Sequence, residues 1–233
     1  PQFVSGNAQE YLFIAISHSG ETEEVLDFVR TAIAQKLNVA VIAARGRLLD
    51  LAKEKALPYI DLPGDDVQPR MTLGYMLRAV LRLTGEEKLY EQAGELKKSL
   101  KPEEYEAEGK KLAKALLHQV PVIYASRSNQ ILAYNLKIKF NETAKIPAFY
   151  NTLPELSHNE IQGLAAPRAE DKMLSERMHF VFLEDNTDDQ RIQKRMKAVA
   201  EMYRAWGLPV EYVKIEGQSR LERIFRTLVL GDW

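Results

Sequence analysis

The chain has 233 residues with 32 Lys+Arg against 33 Asp+Glu and a formal net charge of -1, a balance that offers no basic surface to nucleic acid or an anionic membrane and points to a small-molecule partner. It contains no cysteine, which excludes disulfides and thiolate chemistry, removes the commonest structural zinc sites and fits a cytoplasmic location. No apolar run approaches the roughly 18 residues that span a bilayer and the segment Pro1-Gln2-Phe3-Val4-Ser5 carries no secretory pattern, so a soluble protein is expected. The length suits one large domain or two small ones.

In chain order, the apolar run Tyr11 to Ser17 predicts a strand, Thr22 to Lys36 a helix, and Val39 to Ala44 a second strand, a strand-helix-strand unit of a parallel sheet. A short strand is expected at Pro58 to Leu62, then a loop rich in Pro, Gly and Asp from Pro63 to Gln68, then a helix starting near Arg70. Gly85 to His118 is rich in Glu, Lys, Leu and Ala, with Pro102 dividing it into two helices. The pattern then restarts: a strand at Val120 to Ala125, a helix at Ser128 to Glu142, and a short strand near Ala148 to Tyr150. Strands follow at Met178 to Leu183 and Val210 to Ile215, separated by a helix from Asp188 to Trp206, and a last helix runs from Ser219 to Leu230. The fold class is therefore α/β, with two lobes that each form an open parallel sheet flanked by helices. Residues 1–90 are expected to form the first lobe, 91–118 a helical bridge and 119–233 the second lobe. The similar order of elements suggests a structural repeat, with no residue-level identity visible between the halves.

The strongest local signal is Ser17-His18-Ser19-Gly20-Glu21-Thr22, where a strand turns into a helix. The hydroxyls of Ser17, Ser19 and Thr22, with the free N–H groups of the helix start, form a neutral cradle for a phosphate dianion, and Gly20 permits close backbone approach. The competing reading is that these residues only cap the helix, with Glu21, Glu23 and Glu24 favouring its positive end. Placement at the carboxyl end of a strand, the edge at which open α/β sheets bind ligands, favours the cradle.

Ser-x-Ser-Gly-x-Thr resembles the phosphate loop of the sugar isomerase (SIS) fold. Two further clusters, Phe140-Asn141-Glu142-Thr143-Ala144-Lys145 and Pro154-Glu155-Leu156-Ser157-His158-Asn159, resemble the Phe-Asn-Glu-x-Ala-Lys and Pro-Glu-x-x-His-Asn patterns of the bifunctional phosphoglucose/phosphomannose isomerases. Gln68-Pro69-Arg70 is a third match, and the resemblance runs over most of the chain.

The resemblance implies an aldose-ketose isomerase that interconverts glucose 6-phosphate or mannose 6-phosphate with fructose 6-phosphate through an enediolate, with no metal and no cofactor. It implies that Glu142 is the base moving a proton between C2 and C1, a task a carboxylate performs if burial raises its pKa. His158 is then the ring-opening histidine, and Arg70 the cation that stabilises the enediolate oxygens. It also implies a homodimer in which His158 reaches into the neighbouring subunit's site. Glu155 and Glu160 are candidates to orient His158; His18 sits inside the phosphate loop without a catalytic role, while His118 and His179 flank strands and are read as structural. Measured against the family, the first lobe is expected to lack its N-terminal strand and Gly-Gly-Ser-Gly loop, and no counterpart of a C-terminal lysine is named. The alternative function is a non-catalytic sugar-phosphate sensor, which needs the phosphate loop but has no use for a base.

Overall fold

The computed structural model describes residues 7–63, 67–165 and 172–233. The loop expected from Pro63 to Gln68 lies partly outside them. The chain divides into two compact units, one ending at Glu95 and the other beginning at Leu96.

The first unit holds a three-stranded parallel sheet of β1 (Leu12–Ile16), β2 (Asn38–Ala43) and β3 (Tyr59–Asp61), in that order. Central β2 is buried on both faces from Val39 to Ala43, and it therefore reads as a continuous apolar run. Helix α1 (Glu23–Ala34) turns Leu26, Val29 and Ala32 onto one face of the sheet, spaced three residues apart on one helical stripe. Helix α2 (Gly46–Glu54) adds Leu48, Leu49 and Ala52 to the same core. This helix is not among the elements expected from the sequence, because it is only nine residues long and opens on a glycine, as a connector would. The opposite face, with Ile42 and Leu62, is covered by Ala79, Met76 and Val80 of α3 (Leu73–Leu83). Before α3 comes a short 3₁₀ turn, Pro69–Met71. Helix α4 (Glu87–Ser99) contains the division between the units.

The second unit holds α5 (Glu106–Ala115), β4 (Val120–Ser126), α6 (Gln130–Lys139), β5 (Phe149–Leu153), α7 (Glu160–Ala165), α8 (Lys172–Ser175), β6 (Met178–Glu184), α9 (Gln190–Ala205), β7 (Val210–Lys214) and α10 (Arg220–Leu230). Pro102 opens a 3₁₀ turn that leads into α5, as a proline at a helix start does. All strands are parallel, in the order β5-β4-β6-β7. Alternation along the strands divides two cores. Ile123, Ala125, Val181 and Leu183 face Leu132, Leu136 and Leu228, whereas Val122, Tyr124, Phe180 and Phe182 face Met196, Val199 and Tyr203. Asp189 caps α9 by accepting from the Arg191 N–H at 2.8 Å, and Ser219 caps α10 by accepting from the Glu222 N–H at 3.1 Å.

The expected helix Ser128 to Glu142 is altered at its end. Regular α-helix stops at Lys139, and Phe140–Ala144 forms a wider π-helical turn closed by the Lys145 N–H on the Phe140 carbonyl. β5 extends to Leu153, three residues beyond the expected strand.

Candidate active site

The turn after β1 is built from its own hydroxyls. The Ser17 and Thr22 side chains hydrogen-bond each other at 2.9 Å. The Gly20 N–H donates to Ser17 Oγ at 3.2 Å, and the Glu21 N–H donates to Ser19 Oγ at 3.3 Å. Thr22 occupies the position before α1 but makes no capping bond to it. The capping role that competes with the phosphate cradle is therefore not the one Thr22 performs. One hydroxyl proton of the Ser17–Thr22 pair is engaged in their mutual bond, the others remain for an anion, and the first N–H groups of α1 have no side-chain cap.

Glycine is required here for a reason the sequence hides. Gly20 has φ +68°, and a Cβ on it would stand 1.9 Å from the Arg45 carbonyl oxygen. Gly46, at φ +79°, would bring a Cβ to 2.3 Å from the Ser19 carbonyl oxygen. The turns after β1 and β2 thus interlock through two glycines. Glu21 fastens the joint, accepting from the Arg47 N–H at 2.9 Å and from Arg47 Nε at 2.6 Å. The Arg47 backbone N–H, then its side chain, hold the Glu21 carboxyl below its ordinary range. His18 is buried, and among the described residues neither ring nitrogen has a partner.

Arg70 lies on the 3₁₀ turn Pro69–Met71 and is exposed. Its backbone is fixed from below by fully buried Thr72, whose hydroxyl donates to the Pro69 carbonyl at 2.7 Å. Among the described residues the Arg70 guanidinium has no ion-pair partner.

In the second unit, Glu142 sits on the π turn that follows α6. Asn141 Nδ2 donates to the Ile146 carbonyl at 2.9 Å and seals the exit from that turn, which reverses at Lys145 with φ +59°. The Glu142 side chain is exposed and bonds to none of the described residues. The described residues do not supply the burial asked of a carbon-acid base. His158 follows the 3₁₀ turn Glu155–Ser157, is likewise exposed, and has no side-chain partner among the described residues.

Neither Glu155 nor Glu160 bonds to the His158 ring. Glu155 accepts a long bond of 3.4 Å from Asn159. Glu160 turns inward, accepting from the Tyr124 hydroxyl at 2.6 Å and from the Asn151 amide. Burial first, then the neighbouring Tyr203 and Glu160, push the Tyr124 hydroxyl far up, so it remains a neutral donor. The same pair borders an open, largely apolar cavity of about 470 Å³ between Phe149, Leu164, Met178 and Phe180. Nothing in sequence spacing marks Tyr124 or Asn151, because their meeting with Glu160 depends on strand pairing.

The end of β4 repeats the chemistry of the end of β1. Ser126-Arg127-Ser128-Asn129 stands where Ser17-His18-Ser19-Gly20 stands in the first unit. Here the space is filled. Ser126 Oγ donates to Asp188 at 2.9 Å, Asn129 Nδ2 donates to Asp185 at 3.1 Å, and Arg220 donates to Asn129 Oδ1 at 2.6 Å. This crevice between β4 and β6 is the point where strand order reverses, the usual ligand position in open sheets, and protein carboxylates occupy it. Among the described residues no group of three or more His, Asp or Glu side chains comes together as a metal site, and no helix is long and apolar enough to cross a membrane.

Parallel sheets with helices on both faces, and a hydroxyl turn opening onto a helix start, define a protein of the sugar isomerase (SIS) fold. Tagatose-6-phosphate ketose/aldose isomerase from Escherichia coli shares that fold, with TM-score 0.65 at 15% identity over 95% of this chain and 66% of its own. Residues 105–233 match the family described as the bacterial phospho-glucose isomerase C-terminal SIS domain. The bifunctional phosphoglucose/phosphomannose isomerase of Aquifex aeolicus is 32% identical over 235 residues, covering 100% of this chain and 70% of its own length. That of Thermoplasma acidophilum is 31% identical with the same coverage. The chain belongs to the bifunctional phosphoglucose/phosphomannose isomerase family, a family of isomerases.

Proposed function

We propose that the protein interconverts glucose 6-phosphate, mannose 6-phosphate or both with fructose 6-phosphate through an enediolate, without a metal. The observation that carries this reading is the Glu142 carboxylate, exposed on a π turn and bonded to none of the described residues. A sensor needs hydroxyls for phosphate but has no use for an unengaged base, and π turns recur at functional positions in helices.

In this reading Ser17, Ser19 and Thr22 donate to the phosphate dianion. His158 moves a proton between the ring oxygen and the C1 hydroxyl, opening the sugar to its aldehyde. Glu142 takes the C2 proton, the electron pair of that C–H bond becomes the C1–C2 double bond, and the carbonyl oxygen at C1 gains negative charge. Arg70 stabilises that charge. The C2 hydroxyl proton passes to the C1 oxygen as the new C2 carbonyl forms, and return of the proton from Glu142 to C1 completes the ketose. We further propose a homodimer in which His158 serves the neighbouring subunit. The location is cytoplasmic, where charged sugar phosphates are retained.

A coupled assay on the full-length protein tests this. Fructose 6-phosphate is supplied with a chelator, and glucose 6-phosphate and mannose 6-phosphate are followed separately. Both products are expected; one alone narrows the specificity, and neither, with sugar phosphate still bound, gives the sensor.

A further inference from the structure

His158 presents a physical problem: its imidazole has no partner among the described residues, so among them only its backbone sets its position. That backbone is pinned on both sides. Two residues earlier, Leu156 is completely buried in the second core. Two residues later, Glu160 begins α7.

Glu160 is not acting as an ordinary acid in a first helical turn. Its own N–H is taken by Asn159 Oδ1 at 2.7 Å, while its carboxylate reaches out of the helix to the sheet. The two carboxylate oxygens are bonded separately, Oε2 by Tyr124 of β4 and Oε1 by Asn151 of β5. Tyr124 and Asn151 are direct neighbours in the β4–β5 register. The Asn151 amide is oriented by its oxygen, which accepts from the Thr152 N–H at 2.7 Å, so its nitrogen faces Glu160. Tyr124 is buried within a ring of aromatics that includes Phe180, Phe182 and Tyr203. A forked acceptor held by two adjacent strands leaves little rotational freedom to the chain entering α7.

We propose that Glu160, gripped by Tyr124 and Asn151, is the positioning residue for His158, fixing the loop that carries the ring-opening imidazole. This rests on the isomerase reading and the role of His158 in it. Glu160 touches no substrate in this account. It acts through the backbone two residues away.

The test is a double-substitution cycle on the full-length protein, with kcat, KM and thermal midpoint measured for wild type, Glu160→Ala, His158→Ala and the pair. Sugar rings also open slowly without help, so His158→Ala retains measurable turnover. Glu160→Ala is expected to lower kcat about 10- to 100-fold, the effect of a misplacement near 1 Å, with KM within about twofold. In the His158→Ala background the same change is expected to alter kcat by less than about twofold, since the residue it positions is gone. Equal loss in both backgrounds overturns the proposal, because a general structural defect ignores His158. Ser126→Ala, which breaks the bond to Asp188 at the carboxyl end of β4 without touching Glu160, is the matched control: it is expected to lower the thermal midpoint while leaving kcat in place. A similar kcat loss there also overturns the proposal. Should Glu160→Ala fail to fold, Glu160→Gln retains its volume and one acceptor, and the same cycle with an intermediate loss decides the matter. A wild-type protein without turnover overturns the isomerase reading and this proposal together, whereas wild-type turnover unaffected by either Glu160 substitution overturns this proposal alone.

Discussion

Glu142 and Asp185 are both carboxylates in the second unit, in opposite surroundings. Glu142 is exposed and bonds to none of the described residues, and it is the base in the proposed reaction. Replacing it by Gln is expected to lower kcat about a thousandfold with little change in substrate binding, as steady-state kinetics and direct binding would show. Ser19→Ala combined with Thr22→Ala is expected instead to raise KM at least about tenfold with kcat largely kept, since each hydrogen bond to a charged group contributes about 1.5 kcal/mol or more. Asp185 is structural. Burial works to raise its carboxyl, but the bonds from Thr187 and Asn129 and the charge of Arg223 outweigh it, and it lies below the ordinary 3.8. A depressed carboxyl stabilises the fold above its unfolded value and loses that contribution as pH falls through the folded one. Asp185→Asn should therefore lower the thermal midpoint at pH 7, with the deficit narrowing as pH falls below about 3.8. Asp188, raised by burial foremost, works in the opposite sense and grows less costly on acidification.

At the scale of elements, the turns after β1 and β2 act as one part. Their interlocked glycines leave no room for a side chain, and Gly20→Ala would drive a methyl to 1.9 Å from the Arg45 carbonyl. The substitution is expected to cost about 2 kcal/mol or more in stability, from positive φ and the clash together. Because the turn also carries Ser19 and Thr22, sugar-phosphate affinity should fall with it, as thermal melts and titration calorimetry would report. The π turn at Phe140–Ala144 is a second such case. The sequence pattern Ser128 to Glu142 is legible as a helix, but periodicity does not distinguish a final α turn from a wider one, and the difference sets where Glu142 projects.

Across the molecule, each unit has its own cores, and their alternation along β4 and β6 follows the pleat. Phe182, fully buried against Tyr124 and Tyr203, fills the second unit's aromatic centre, and Phe182→Ala is expected to cost about 3–5 kcal/mol in denaturant titrations. The α/β class, the parallel strands and the hydroxyl turn after β1 were all written in local pattern: buried runs of β-forming residues, helical stripes and a Ser/Thr cluster at a strand end. Helix α2 escaped because a glycine at positive φ opens it, and the correspondence of Ser126-Arg127-Ser128-Asn129 with the first turn escaped because Asn129 replaces the glycine. Local chemistry by itself determined which residues could bind phosphate or move a proton, since hydroxyls, imidazole and carboxylate carry those properties wherever they stand. Only the tertiary structure decided that Thr22 leaves its helix uncapped, that carboxylates fill the crevice between β4 and β6, and that Glu160 faces Tyr124 and Asn151. The last two depend on strand register, which brings together residues that no local pattern pairs.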